Sequence, residues 1–187
     1  MPEYRTCASQ PTSGRSRASI DQPLGAAIFS DAIYDVISAP DPDGWLTMGF
    51  TYSGHPVACA AANANIALIE REDLCGHVRR LGPYLEAKLH ELHDLPIVGD
   101  VRGSHFMMCV ENVADPKTGE HFPDKVNIGK RISGHCERLG LIVRPIGPLN
   151  VISPPLVLTR EQIDDLVAML RAGIVATLDD LKAEGIA

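Results

Sequence analysis

The sequence predicts a mixed α/β fold in which helices pack on a small sheet. Three observations predict it: an alanine-rich stretch after Pro56, short apolar runs between turn residues from position 97 onward, and an amphipathic final segment. The 187 residues, 45% hydrophobic and 22% charged, are typical of one globular domain or slightly more. No apolar run is long enough to span a membrane, and the net charge of −7 argues against nucleic-acid partners.

The first half of the folded region contains one strand and three helices. We predict a strand at 24–29 and a short helix at 32–38. Pro56 suits the first position of a helix, because its missing N–H has no helical partner there, and alanine favours continuation to Arg71. A further helix is expected from Leu74 to Leu92.

The second half alternates strands and helices. We predict a strand pair at 97–101 and 105–111 around a turn at Arg102-Gly103, followed by a polar loop at 114–125 and a helix at 126–139. Two short extended segments at 141–144 and 151–153 and a last helix from Thr159 complete the prediction. Thr159 and Gln162 have the spacing of a capping box at the start of that last helix. Its apolar stripe comprises Ile163, Leu166, Val167, Leu170, Ile174, Leu178 and Leu181.

The cysteines and histidines do not have the spacing of metal ligands. Five cysteines, at positions 7, 59, 75, 109 and 136, form no Cys-x-x-Cys pair, and no His-x-x-x-His pattern occurs. We therefore predict no metal site and free, mostly buried thiols in a reducing, cytoplasmic compartment.

Residues 1–22 differ from the rest in being rich in Ser, Thr, Arg and Pro, with little apolar periodicity. They are interpreted as a disordered arm, as an organelle transit peptide, or as an unrelated leader. The predicted domains are accordingly the leader at 1–22, a region at 23–93 and a C-terminal domain at 94–187.

The strongest local signal for a binding site is the segment from Thr51 to Pro56. Two hydroxyls, of Thr51 and Ser53, stand just before a helix start, where free N–H groups and the helix dipole favour an anion such as phosphate. The alternative is simple capping of the helix by Ser53 or Thr51.

Several blocks in this order resemble one protein family. GFTYSGHPVACAAANANIALIE, QPLGAAIFSD, VRGSHFMMCVE and GLIVRPIGPLNVISPPLVLTREQIDDLV resemble the class III, omega-type aminotransferases, which use pyridoxal phosphate. The resemblance extends from residue 23 to about residue 181. It implies the end of the large cofactor domain plus the C-terminal small α/β domain of a fold type I enzyme, with 23–93 in the former.

The resemblance also implies site residues and a partner. Thr51, with Ser53 beside it, matches the threonine that binds the cofactor phosphate of a neighbouring subunit, and Arg144 matches the arginine that pairs with a substrate carboxylate. His105 stands where the family usually has glycine. The expected partner is a second copy or a full-length homologue, because family members work as dimers.

The catalytic lysine of the family is expected at position 15, which is arginine here. A guanidinium stays protonated and cannot form the covalent link that a neutral amine forms. Two functions therefore remain open. One is an aminotransferase moving an amino group from an amino acid or amine to a keto acid, truncated and inactive alone. The other is a non-catalytic remnant or interaction module that pairs with a full-length homologue.

Overall fold

The computed structural model describes residues 4–9, 24–39 and 49–186. Contacts within the chain divide it into two compact units, Met1–Glu72 and Asp73–Ala187. We call them the N-terminal and C-terminal units and describe each by itself. The helix after Asp73 belongs to the C-terminal unit, whereas the domain boundary predicted at 93/94 refers to the family's domains and stays a prediction.

The N-terminal unit begins with an antiparallel strand pair. β1 (Tyr4–Ser9) pairs along its whole length with β2 (Gly25–Ser30), and α1 (Asp31–Ile37) follows directly. The predicted strand and short helix at 24–38 are confirmed. Residues 4–9, which lie in the segment interpreted as a leader, form this strand by pairing with a segment distant in sequence. The interpretation of 1–22 as a disordered or unrelated leader stays a prediction.

The second helix of this unit, α2 (Pro56–Arg71), begins at Pro56 as predicted. Its N-cap is His55, whose Nδ1 accepts a hydrogen bond from the Ala58 N–H at 3.4 Å. Within 24–39 and 49–72, only Ala58 is buried.

The C-terminal unit is a four-stranded antiparallel sheet with three helices. Its elements are α3 (Leu74–His90), β3 (Val98–Ser104), β4 (Met107–Asn112), α4 (Ile128–Arg138), β5 (Arg144–Ile146), β6 (Leu149–Ile152) and α5 (Arg160–Ala183). The strand order is β3-β4-β6-β5, so β3 and β5 are the edges. Two 3-10 turns, Glu91–Asp94 and Asp124–Val126, precede β3 and α4.

The three helices supply half of the buried hydrophobic cluster of this unit. The predicted stripe of α5 is buried apart from Leu178, which packs against the core half-exposed. The capping box is present: the Thr159 hydroxyl accepts from the Gln162 N–H at 3.3 Å, and the Gln162 side chain accepts from the Thr159 N–H at 2.9 Å. The mixed α/β prediction is therefore confirmed.

Two boundaries in the sheet differ from the prediction. The β3–β4 turn lies at His105-Phe106, because Arg102 and Gly103 continue the strand opposite Cys109 and Met108. Gly103 has φ 134 and lies so close to the Met107 carbonyl that a Cβ would collide with it. Its glycine thus reflects a close approach of two strands and not a turn. β5 begins at Arg144, whereas the sequence predicts an extended segment at 141–144, which ends where the strand begins.

The prediction of mostly buried thiols is wrong for the four cysteines whose side chains are described. All four are free, but only Cys136 is buried; Cys59 and Cys109 are half-buried and Cys75 is exposed. Burial raises the pKa of the Cys136 thiol to about 11.

Each helix in the described ranges is too short or too polar to span a lipid bilayer.

Candidate functional site

Thr51 and Ser53 lie in a tight turn that precedes α2. The Ser53 N–H donates to the Phe50 carbonyl at 2.9 Å, and the Ser53 hydroxyl accepts from the Phe50 N–H at 3.1 Å. The His55 N–H then donates to the Tyr52 carbonyl at 3.2 Å, and Gly54 supplies a positive φ of 71 between the two turns. Sequence-local hydrogen bonds thus fix the backbone of this segment.

Capping of the helix by Thr51 or Ser53, the alternative considered above, is wrong. Pro56 occupies the first helical position, so the N-cap is His55, and Ser53 is too early in the chain to reach the helical N–H groups. The helix end itself offers few donors. Pro56 has none, the Ala58 N–H is bonded to His55 Nδ1, and the Cys59 N–H is bonded to the His55 carbonyl.

The turn nevertheless fits a phosphate group. Thr51 is exposed, and neither its hydroxyl nor its N–H has a hydrogen-bond partner among the described residues. The Ser53 hydroxyl accepts one bond but keeps its own hydrogen to donate. Two hydroxyls and one N–H can therefore donate to an anion, and the donors belong to the turn more than to the helix end.

Arg144 lies in a hairpin at the edge of the sheet in the C-terminal unit. Gly147-Pro148 joins β5 to β6, and Gly147 has φ 55, which suits the first residue of a two-residue turn. Pro145 has no N–H to donate, which an edge strand tolerates. The hairpin register places Arg144 opposite Val151, so both side chains stand on one face of the sheet.

That face is the one turned away from the helices. Val151 lies opposite Cys109, and Cys109 lies opposite Arg102. Met108 and Val110, on the alternate positions of β4, are buried in the core instead. We call the side that carries Arg102, Cys109, Val151 and Arg144 the outer face.

The two arginines of the outer face differ in their electrostatic surroundings. Arg102 donates to Asp100 at 2.8 Å and also to Glu111, and it holds the pKa of both carboxyl groups below their ordinary values. Arg144 is exposed, and its guanidinium makes no hydrogen bond or ion pair with any described residue. Arg144 is therefore a cation available to a carboxylate from outside the chain, and an internal ion pair does not account for it.

The remaining predictions about the site fall in separate places. Arg15 lies outside the described residues. Thr51 and Ser53 share one turn of the N-terminal unit, whereas Arg144 belongs to the C-terminal unit. No group of three or more potential metal ligands occurs in the described ranges.

Sequence reasoning did not anticipate how the β3–β4 turn is held. His105 has φ 53, a conformation that favours glycine, and its N–H donates to the Glu86 carboxylate of α3. A cavity of about 310 Å³ lies beside this turn, lined by Cys75, Val78, Arg79, His105 and Leu156. Because these residues come from three separate segments, no local pattern indicates the cavity.

Comparison with known proteins identifies relatives of the chain. The family model described as Aminotransferase class-III matches residues 18–174, and so begins inside the segment assigned above to a leader. The putrescine–pyruvate aminotransferase of Pseudomonas aeruginosa is 41% identical over 150 residues, which is 80% of this chain and 32% of that protein. The diaminobutyrate–2-oxoglutarate transaminase of Halomonas elongata is 35% identical over 93% of this chain and 38% of its own length.

Solved structures give the same result. An (S)-enantioselective omega-transaminase from Thermomicrobium roseum superposes with a TM-score of 0.78 at 35% identity, covering 97% of this chain and 38% of that one. A PMP-bound aminotransferase from Vibrio fluvialis superposes with a TM-score of 0.75 at 35% identity, covering 84% and 35%. The chain spans about a third of the length of the curated relatives it matches.

Proposed function

Because this chain belongs to the class-III aminotransferase family, we propose that it supplies two contacts of a pyridoxal-phosphate-dependent aminotransferase site. Residues 23–93 form the end of the large domain and 94–187 the C-terminal small domain. The enzyme moves an amino group from an amine or amino acid to a keto acid, in the cytoplasm. Pyridoxal phosphate, when bound, carries the amino group and stabilises negative charge on the substrate carbon.

The chain's own residues have two roles in this proposal. Thr51 donates its hydroxyl and N–H to the cofactor phosphate of a neighbouring subunit, and Ser53 adds a second hydroxyl. Arg144 binds the substrate carboxylate, because a planar guanidinium can donate two parallel hydrogen bonds to it. The observation that carries the proposal is the exposed guanidinium of Arg144, which lacks a partner among the described residues.

A graft tests the role of Arg144. Residues 23–187, which leave out the Arg15 position, are fused to the part of the Pseudomonas aeruginosa putrescine–pyruvate aminotransferase that they do not cover. We expect Arg144→Ala to lower kcat/KM for pyruvate by about thirtyfold, or about 2 kcal/mol, since a charge-assisted pair is lost. The value for putrescine, which has no carboxylate, should change little.

The control is Arg79→Ala, which removes another exposed arginine, from α3. We expect it to alter neither substrate selectively. Equal losses for pyruvate and putrescine in the Arg144 variant would indicate a structural role for Arg144 and would contradict the proposal.

One observation favours the second candidate, a non-catalytic module that pairs with a full-length homologue. The first lysine in the sequence is Lys88, on α3, where its ammonium group lies 3.1 Å from Glu91. That contact raises the pKa of Lys88 and keeps its amine protonated. We therefore propose that these 187 residues alone do not attach pyridoxal phosphate to a specific lysine. Incubation with the cofactor, borohydride reduction and peptide mapping test this; stoichiometric labelling of one lysine together with turnover would refute it.

A further inference from the structure

Two asparagines are fully buried in the C-terminal unit beneath the hairpin that carries Arg144. Asn112 ends β4, and Asn150 lies in β6 directly opposite Pro145, the residue after Arg144. Both have 0% exposure, as does Thr177, and these three are the buried polar side chains among the described residues. A buried amide is costly unless it is hydrogen-bonded, so the contacts of this pair require an explanation.

Asn112 holds the turn of the hairpin. Its backbone N–H donates to the Pro148 carbonyl at 3.0 Å, and its side-chain Nδ2 donates to the same carbonyl at 2.7 Å. The end of β4 is therefore hydrogen-bonded to Pro148, a turn residue of the hairpin that β5 and β6 form. The two contacts fix both the position and the tilt of the turn.

Asn150 links the same hairpin to α4. Its Oδ1 accepts from Asn112 Nδ2 at 2.9 Å, and its Nδ2 donates to the Gly129 carbonyl in the first turn of α4 at 3.0 Å. A Cβ at Gly129 would collide with the Gly147 carbonyl, so α4 and the hairpin turn approach closely there. The side-chain bonds run in one direction, from Asn112 through Asn150 to α4, which fixes the orientation of both amides.

Stability alone is a poor explanation for this pair. The Asn112 Oδ1 is buried and has no hydrogen-bond partner, which costs free energy. Replacement of buried polar groups by apolar side chains of similar volume is often neutral or stabilising. Directional bonds differ from apolar contacts in that they select a single arrangement of the groups they join.

The hairpin needs such a constraint. β5 is three residues long, lies at the edge of the four-stranded sheet and, within the part of the chain that the structure describes, pairs with β6 alone. Its three residues are all exposed. One end of β5 is anchored, because Val143 is buried and its carbonyl accepts a hydrogen bond from the Ser133 hydroxyl of α4 at 3.0 Å. Beyond Val143 little packing holds the strand, so the direction of Arg144 also depends on the attachment of the β5–β6 turn.

We propose that Asn112 and Asn150 are positioning residues for Arg144: by tying the β5–β6 hairpin to β4 and α4, they fix where its guanidinium projects from the outer face. The proposal rests on the proposed function only in the role given to Arg144. The attachment of the hairpin is a property of the chain itself and can be measured without activity.

The test uses the intact 187-residue chain and the double variant Asn112→Leu/Asn150→Leu. We expect its melting temperature to equal or exceed that of the parent. Amide exchange of residues 144, 146, 149 and 151 should accelerate at least tenfold, while exchange in α5 stays within about twofold. The ¹⁵N relaxation of the Arg144 Nε–H group should show a wider range of motion.

Thr177→Val is the matched control. It also removes a fully buried polar group, whose hydroxyl donates to the Gly173 carbonyl within α5 at 2.8 Å, and it leaves the hairpin untouched. We expect no selective change in hairpin exchange. If the double variant does not fold, Asn112→Ala replaces it, with an expected acceleration of about threefold in the same amides.

Two results would overturn the proposal. One is hairpin exchange that stays at the parent's rate in a folded variant, and the other is hairpin exchange that changes only in step with α5. A loosened hairpin combined with no substrate discrimination in the grafted Arg144→Ala enzyme would instead support the positioning contacts and refute the role of Arg144. The failure of each idea is therefore distinguishable.

Discussion

The two units differ in what their apolar side chains touch. In the C-terminal unit every member of the buried hydrophobic cluster lies between Leu85 and Leu181, and side chains from all three helices take part. In the described part of the N-terminal unit, the large apolar side chains are mostly exposed: Ile28, Ile33, Val36, Phe50, Tyr52, Val57, Ile66 and Leu68. The C-terminal unit therefore has the burial that stabilises a fold, whereas the N-terminal unit has helices and strands without comparable burial.

Polar contacts over long sequence separations reinforce the C-terminal unit. Arg131 forms a two-point ion pair with Glu184 at 2.6 and 2.9 Å, which joins α4 to the end of α5. Arg171 of α5 donates to Asp94 at 2.8 Å. The two proposed contacts of the site therefore belong to parts of the chain with different amounts of buried apolar surface. Arg144 belongs to the unit that has a buried hydrophobic core, whereas Thr51 precedes a helix whose apolar side chains are mostly exposed.

The largest expected effect comes from the same substitution made in each unit. Ile174 is fully buried in α5, and Ile66 is 53% exposed in α2. We expect Ile174→Ala to lower the free energy of unfolding by about 2–5 kcal/mol, because it leaves a cavity in the core. Ile66→Ala should change it by less than about 0.5 kcal/mol. Urea unfolding followed by circular dichroism measures both; equal losses would contradict the difference in burial between the two units.

Hydrogen exchange tests the same difference without a mutation. Amides in the middle of α5 should exchange through global unfolding, and those of α2 and residues 24–39 through local opening. We expect at least about a hundredfold difference in protection, which corresponds to about 2.7 kcal/mol. Equal protection of the two regions, in a chain that stays monomeric at high concentration, would show that the N-terminal unit is self-sufficient.

Local signals in the sequence predicted the helices well. Pro56 located the start of α2, and Thr159 with Gln162 located that of α5, because caps depend on neighbours within one turn. The stripe of α5 followed from helical periodicity.

The strands were harder to predict, because their ends depend on contacts distant in sequence. The β3–β4 turn lies at His105, whose N–H donates to Glu86 of α3 and which packs where Gly82 of α3 has no Cβ. β1 is a strand because it pairs with β2. Arg144 was predicted through family resemblance alone, whereas Thr51 was predicted both from its place before a helix start and from the resemblance. The hydrogen bonds of Asn112 and Asn150 were not foreseen, because they join three elements that only the fold brings together.

Helix caps provide a smaller test of the comparison. Thr159→Ala removes the capping box of α5 and should lower the global free energy of unfolding by about 1 kcal/mol. His55→Ala removes the cap of α2, but α2 is not expected to unfold with the core. Its global effect should therefore lie within error, while exchange of the first α2 amides accelerates.

Urea midpoints and amide exchange on the same samples separate the two cap effects. A global loss of about 1 kcal/mol for His55→Ala would place α2 in the cooperative unit and weaken the distinction between the units. An unchanged urea midpoint for Thr159→Ala would show that the capping box does not stabilise α5.

The smallest expected effect concerns acid. Glu111 accepts hydrogen bonds from Arg102 and, at 2.8 Å, from His121, and its side chain is only 19% exposed. Arg102, and then His121, hold the pKa of Glu111 below its ordinary value. Arg102 also lowers the pKa of Asp100. A carboxyl group whose pKa is lower in the folded than in the unfolded state stabilises the fold above the unfolded-state pKa, and that contribution is lost as pH falls through the folded-state pKa.

The C-terminal unit should therefore lose stability from about pH 5 downward, since unfolded Asp and Glu titrate near pH 4. At pH 7 we expect Glu111→Gln to cost on the order of 0.5–1 kcal/mol and to flatten the acid limb of the stability curve. The control is Glu137→Gln, which removes a carboxylate that has no ion pair among the described residues. It should leave the curve unchanged apart from a small effect of net charge. Urea unfolding at a series of pH values from 3 to 7 measures these curves. An acid limb of the same slope in the parent and in Glu111→Gln would show that other carboxyl groups govern the loss of stability.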